Sequence, residues 1–464
     1  MASLRTPVLS ALPGAGLAAR RTTKSRSGST IRHALHHSNM STSSLRLVPS
    51  GTAALRAAVF PKAQARSHAR AASASASAET AELGLVMGKG EEGAWDAANV
   101  GSAVVRVYLG DNSQRWMMWY EGRAAGSANP DLESASSPCA GIAISDDGIT
   151  WFRSPGPCDT TIGDGEDLVT GMVLAPNEDD WWWFDTCHLT VSDVQVLSDP
   201  NARMGESAVY WMFYSGGDFE ELPLPPSLAP PVGKVEGVAP GTTVPGIRQR
   251  LGLALSQDGR NWARIEGDHH SGALFDVGEE GEWDSLYIAR PQVIREGPRD
   301  FRMFYQALDP NTGKYTVGLA VGDDGTKWRK VGKCFAGGSV GEYDALGAAS
   351  HWVTRDPEKV GQYLMFYEAV AEDGKRCISV AKGDGKLVWE RTGEVVLAPS
   401  GVEGAWDESA VGMPCAVPMD QGKWRLYYSG SGPDAVLGRY EGVGLAISTG
   451  AAGAAWSSFK RRGE

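Results

Sequence analysis

Apolar and small residues alternate in short runs along this chain, and the runs end at glycine-rich turns. Residues 252–262 read GLALSQDGRNW. Leu253 and Leu255 alternate with smaller residues, Asp258-Gly259 supplies the positive φ of a tight turn, and Trp262 opens the far side. The pattern predicts two strand ends joined by a hairpin. Nearly the same segment returns as GIAISDDGITW at 141–151 and GLAVGDDGTKW at 318–328. It returns again as CISVAKGDGKLVW at 377–389, with two extra residues, and as GLAISTGAAGAAW at 444–456, without the Asp-Gly.

Two further signatures recur in step with it. An aromatic-Asp pair precedes an apolar stretch at Trp95-Asp96, Phe184-Asp185, Trp283-Asp284, Tyr343-Asp344 and Trp406-Asp407. A strand ending in tyrosine follows: WMMWYEG at 116–122, WMFYSG at 211–216, FRMFYQA at 301–307, YLMFYEA at 363–369 and WRLYYSG at 424–430. Each unit therefore reads as four short strands with almost no helical period, which means antiparallel sheet. One four-stranded sheet cannot bury both faces alone, whereas five arranged radially can. The expected fold is all-β, a five-bladed β-propeller of four-stranded antiparallel blades around a central funnel. The blades fall at about 83–162, 163–270, 271–333, 334–396 and 397–464. Residues 220–249 are rich in proline, which lacks the ladder donor, and are expected as an exposed insertion without strands.

Composition divides the chain in two. Residues 1–78 hold eleven Arg or Lys and none of the 56 acidic residues, beside many Ser and Ala. That is the composition of an organelle transit peptide, here expected to be disordered. Its Met-Ala-Ser start is similar to chloroplast leaders, so the expected place of action is the chloroplast stroma. The remainder, 79–464, is strongly acidic, which argues against nucleic acid. No run of eighteen apolar residues occurs, so no transmembrane segment is expected. The six cysteines form no Cys-x-x-Cys pair and no zinc spacing, and most are expected as buried apolar side chains. No metal or cofactor is implied. GKGEEG at 88–93 leads into no helix, and GGSVG at 337–341 has no strand-to-helix turn, so neither carries its usual chemistry.

Five repeats of aromatic-Asp, a Met-Tyr strand and a Gly-rich Asp-Gly hairpin resemble the five-bladed propellers of the arabinanase/levansucrase/invertase superfamily, which includes glycoside hydrolase families 32, 43, 68 and 130. The resemblance covers roughly 83–460. It implies a funnel where acidic residues from different blades meet: an Asp base or nucleophile, a second Asp and a Glu acid. Asp96 stands where that group has its first catalytic Asp, with Asp185 and Asp284 at the matching positions of the next two blades. The invertase NDPNG pattern is absent at Asp96, which reads WDAANVG, and the RDP at 355–357 follows its inner strand instead of opening it.

Hydrolysis of a glycosidic bond needs one carboxyl that protonates and another that activates water or attacks carbon. The protonating group needs a raised pKa. Glu121 and Glu368 both replace the small residue or Gln that ends the other second strands; Glu368 is the leading acid candidate, ahead of Glu121 and Glu408. The aspartate, however, recurs in every repeat, as an architectural residue would, capping backbone N–H groups while its aromatic neighbour packs between blades. Unshared polar residues on the inner strands, Asn99, His188, Tyr287, Arg290, His351 and Glu408, suit sugar hydroxyls or an anionic group. Two readings follow: a plastid carbohydrate-active enzyme acting by paired carboxylates, or a non-catalytic propeller that binds a sugar or a protein partner.

Overall fold

The computed structural model describes residues 82–109, 114–124, 138–154, 171–198, 208–223, 243–433, 440–450 and 459–464. The expected leader and Cys158 lie outside them. The described chain is all-β, with one 3-10 turn at Asp420–Gly422 and no α-helix among the described residues. No described helix is long and apolar enough to cross a membrane.

The short strand β1 (Leu85–Gly88) comes first. It is followed by β2 (Asn99–Leu109), β3 (Gln114–Arg123), β4 (Cys139–Ser145) and β5 (Phe152–Arg153), paired in that order, with β6 (Met172–Leu174) also on β4. The second set is β7 (His188–Ser198), β8 (Ala208–Gly217), β11 (Gln249–Ser256) and β12 (Ala263–Ile265). Between its middle strands lies a ribbon of β9 (Glu221–Pro223) and β10 (Thr243–Pro245). The third set is β13 (Ile288–Gly297), β14 (Asp300–Leu308), β15 (Tyr315–Gly322) and β16 (Arg329–Phe335). The fourth is β17 (Ala348–Arg355), β18 (Tyr363–Val370), β19 (Arg376–Gly383) and β20 (Trp389–Leu397). The last is β21 (Ala410–Pro418), β22 (Trp424–Ser431), β23 (Gly442–Ser448) and β24 (Phe459–Arg461). A single parallel bridge, Arg376 to Ala410, joins the last two sets into one strongly curled nine-stranded sheet that also includes β1.

Two details differ from the sequence reading. β1 does not join the first set; Leu85 pairs with Gly444 of the last. The ends of the proline-rich insertion form strands after all, because Pro223 and Pro245 sit at strand ends of a two-stranded ribbon, where a missing donor costs little.

The repeated signatures have a common explanation. The aspartate of each aromatic-Asp pair is buried and binds the second-strand tyrosine and a cation of the outermost strand. Asp96 accepts from Tyr120 at 3.0 Å and Arg153 at 2.7 Å. Asp284 accepts from Tyr305 at 3.1 Å and pairs with Lys330 at 2.9 Å. Asp344 uses Tyr367 and Arg391, and Asp407 uses Tyr428 and Arg461. Asp185 pairs with Arg264 at 2.9 Å beside Tyr214. These partners are side chains, where the sequence had suggested backbone N–H groups. The aromatic residue packs inside its own set, not between sets: Trp95 lies 5.4 Å from Tyr120. The third-strand glycine makes room for it, since a Cβ on Gly141 would lie 2.6 Å from the Trp95 ring. The fourth set has Ser379 at this place and a smaller ring, Tyr343, whose hydroxyl lies 3.0 Å from Ser379 Oγ.

The Asp-Gly hairpins hold neighbouring sets together. The turn at Gly259 accepts a bond from Trp119 Nε1 of the preceding set at 2.9 Å. Gly385 accepts from Arg302 at 3.2 Å, and Gly148 of the first set accepts from Tyr427 of the last at 2.7 Å. The first strands make a second set of links. Arg106 of β2 binds Asp193 of β7, Gln195 of β7 binds the Val293 carbonyl of β13, and Gln292 of β13 binds the Val353 carbonyl of β17. Trp352 of β17 binds the Ala416 carbonyl of β21 at 3.0 Å, and the Val105 amide of β2 donates to Cys415 Sγ of β21 at 3.3 Å. The contacts between first strands thus run β2, β7, β13, β17, β21 and back to β2. Burial falls outward: β18 is buried throughout, while β16 alternates with solvent. Cys187 and Cys415 are buried, Cys139, Cys334 and Cys377 half-buried, and no disulfide joins these five.

Candidate functional site

At one end of this circuit the first strands begin and the second strands finish. The residue after each second-strand tyrosine lies there: Glu121, Ser215, Gln306, Glu368 and Ser429, opposite Gly101, Thr190, Ala289, Ser350 and Gly412. Beside this level every first strand has a register shift, as between Gly101 and Val104 or Ala289 and Gln292. In three strands a non-glycine residue takes the left-handed conformation: Ser102 (φ 54°), Arg290 (φ 52°) and Met413 (φ 49°). All three stand six residues after the repeated aspartate. Bulges re-aim side chains, and strained backbone of this kind gathers at ligand sites.

Arg290 NH1 donates to Ser102 Oγ at 2.7 Å. The strands that hold them, β13 and β2, are not neighbours in the circuit, because β7 lies between. The Arg290 side chain therefore reaches past β7 to β2. Ser102 is fixed in turn by its amide, which donates to Ser429 Oγ at 2.9 Å.

Two glutamates lie at this end, each with an arginine of its own. Glu121 Oε1 pairs with Arg123 at 2.9 Å. Glu368 is fully buried and accepts from Arg376, from Ser350 Oγ at 2.8 Å and from the Met413 amide at 3.1 Å. Burial pushes the Glu121 carboxyl up, but Arg123 and Arg290 reverse this and hold it below the usual range. Burial opposes ionisation of Glu368 likewise, and Arg376 with the Ser350 hydroxyl and the Met413 amide outweighs it. Both are therefore ionised at neutral pH, the opposite of what a proton donor requires.

Two buried polar atoms at this end have no hydrogen-bond partner, Ser215 Oγ and Gln306 Oε1. His351 is 6% exposed, and burial, with Arg290 nearby, lowers its pKa to about 4, only partly offset by the Phe304 backbone. Tyr440 has its phenol pushed up by burial and by Glu368 next to it. His188 is buried, lies 2.8 Å from the Gly246 carbonyl through Nε2, and is held neutral by burial.

The candidates named from the sequence divide accordingly once placed in space. Arg290, His188, His351, Glu121 and Glu368 come together at this end of the circuit. Asn99 opens β2 and donates to the Tyr440 carbonyl at 3.3 Å. Tyr287 accepts from Gln306 at 3.2 Å and lies in an apolar cluster with Tyr315 and Ala349. Glu408 accepts from the Gly404 amide at 2.7 Å and caps its own loop. Asp96, Asp185 and Asp284 are not brought together; each is tied to an outer strand of its own set. Burial outweighs Arg264 and lifts the Asp185 carboxyl, yet that group faces Arg264 and Tyr214. Sequence reasoning missed Ser102, Arg123, Ser350, Arg376 and Tyr440. The arginines have a sequence signal: among the tyrosine strands, only the two that end in Glu have an Arg within eight residues on that side, at 123 and 376. Among the described residues no three His, Cys, Asp or Glu side chains are grouped to hold a metal.

Known structures share this architecture. A structure described as a BT0996 RGII complex is 16% identical, with a TM-score of 0.51 over 81% of this chain and 95% of that one. A glycoside hydrolase is 16% identical, TM-score 0.50, over 83% and 98%. A glycosyl hydrolase from Bacteroides ovatus is 14% identical, TM-score 0.51, over 79% and 91%. The chain has their fold. At these identities the likeness extends to the fold alone. No protein-family model matches the chain, and no curated protein matches its sequence.

Proposed function

We propose that the chain is a five-bladed β-propeller that binds carbohydrate at the mouth of its central funnel. The closed circuit of first strands and the five antiparallel sets support the blade count. The observation that carries the function is the mouth itself. Arg290 reaches past β7 to Ser102 on strained backbone, among buried polar groups that lack partners. Unpaired donors and acceptors of this kind are what sugar hydroxyls require.

Binding, not cleavage, is the activity this geometry supports. The two carboxylates at the mouth are both ionised by their own arginines, and hydrolysis by paired carboxylates needs one of them protonated. The remaining candidates, Asp96, Asp185 and Asp284, serve as anchors of the kind found in all five sets. On the composition of residues 1–78, the proposed place of action is the chloroplast stroma.

A glycan-binding screen, run beside an assay for released sugar, tests this reading. Retention on at least one glycan without release is the expected result. Absence of binding to any glycan overturns it. Turnover that Asp96→Asn abolishes at unchanged stability would restore the hydrolase reading.

A further inference from the structure

We infer that the sugar recognised at the mouth is anionic, bearing a carboxylate or a phosphate ester that meets Arg290; this rests on the carbohydrate reading above. The charges there are uneven. Glu121 is neutralised by Arg123 and Glu368 by Arg376. Arg290 forms no ion pair among the described residues, and its one hydrogen bond there is to the uncharged Ser102. The described residues of the cluster thus hold one positive charge in excess, on the half-buried Arg290, whose neighbouring carboxylate Glu121 is already paired with Arg123.

The geometry suits an oxyanion. A guanidinium presents five N–H donors in a planar fork, and the bond to Ser102 uses one. The others match the two oxygens of a carboxylate or those of a phosphate. The bond to Ser102 fixes the fork in direction, and the left-handed backbone at Arg290 is a local cost that a ligand-positioning residue explains. Beside it, opposite Ala289, Gln306 Oε1 is an unpaired polar atom that a hydroxyl of the same sugar would take. A neutral sugar would satisfy this group and leave the arginine uncompensated.

Calorimetric titration of the full chain tests the inference with five probes. They are a galacturonate oligosaccharide, its methyl ester, glucose 6-phosphate, glucose and inorganic phosphate. An acidic sugar is expected to bind at least about tenfold tighter than its neutral counterpart, with affinity falling as salt rises. Comparing galacturonate with glucose 6-phosphate identifies the anion. Arg290→Asn keeps a residue that tolerates the left-handed backbone while removing the cation. It is expected to erase the preference for the acidic sugar and to leave the melting temperature nearly unchanged. Equal binding of acidic and neutral sugars, or a preference that survives Arg290→Asn, overturns the inference while carbohydrate binding stands. Phosphate alone binding as tightly as glucose 6-phosphate also overturns it, as an anion site without sugar recognition. Failure of every sugar removes both readings.

Discussion

The Tyr427 hydroxyl donates to the carbonyl oxygen of Gly148 at 2.7 Å, and this bond ties the last strand set to the first. The same turn is held twice, because Arg425 donates to the neighbouring Asp147 carbonyl at 2.6 Å and stacks its guanidinium over Trp116 at 4.7 Å. The recurring Asp-Gly turn is therefore a connector between sets. Asp147 shapes it by accepting the Thr150 and Ile149 amides, which hold its carboxyl at about 2. Gly148 has φ 70°, and a Cβ there would meet Arg425 at 2.5 Å and Trp116 at 2.8 Å.

Closure by this turn predicts an ordered pair of losses. Tyr427→Phe removes one buried hydrogen bond and should cost about 1 kcal/mol. Gly148→Ala adds a left-handed alanine to a crowded turn and should cost more, roughly 2–4 kcal/mol. Urea denaturation of both variants checks the order. Equal stability of Gly148→Ala and wild type would show that the turn is not a connector.

The aspartate anchors predict uniformity. Asp96→Asn, Asp344→Asn and Asp407→Asn each weaken a bond to an outer-strand cation and should each cost about 1–3 kcal/mol. Melting curves of the three variants should shift together, and sugar binding should survive at temperatures where they stay folded. A variant at 96 that keeps its stability and loses function would set that position apart from its repeats.

These anchors also explain what could be read in advance. A residue that recurs in every repeat does so for a reason every repeat shares, so periodicity made the architecture legible: Gly141 under Trp95 and Asp96 on Tyr120 are both local to one set. The same shared pattern made Asp96 resemble a catalytic residue, since one repeat in isolation gives no sign of the outer-strand arginine it pairs with. At this end of the circuit, Arg290 and His351 stood out because the other repeats lack them, and Glu368 because only Glu121 shares its place. The contact that joins Arg290 to Ser102 spans 188 positions and crosses the circuit, so no local pattern encodes it. Tyr440 has no counterpart in the repeat at all, and nothing in the sequence marked it.

Protonation of His351 gives a pH prediction. Its ordinary value is 6.5, and burial lowers it to about 4 in the folded chain. The unfolded chain therefore binds the extra proton first as pH falls. The stability from the neutral ring is fully present above 6.5 and is lost between there and about 4, a difference of roughly 3 kcal/mol. His351→Leu removes this titration, so its stability should fall less than that of wild type between neutral pH and pH 4. Parallel losses in the two proteins would place the ring in solvent.

Glu368 and Arg376 give the last prediction. Their bond lies in the interior, with Glu368 fully buried and the Arg376 side chain 8% exposed. A buried pair is dominated by the cost of leaving one member alone. Glu368→Gln leaves the Arg376 cation without its counter-charge and should cost about 3–5 kcal/mol. Arg376→Met leaves the carboxylate alone and should cost about as much, although Ser350 and the Met413 amide still bind it. The double variant restores neutrality and should recover most of either loss, giving a coupling well above that of a surface pair. If Glu368 were instead a protonated acid, Glu368→Gln would mimic its resting state and cost little. A double-mutant cycle by urea denaturation therefore separates the two roles: near-zero coupling and a stable Glu368→Gln variant would return the proton-donor role to this glutamate.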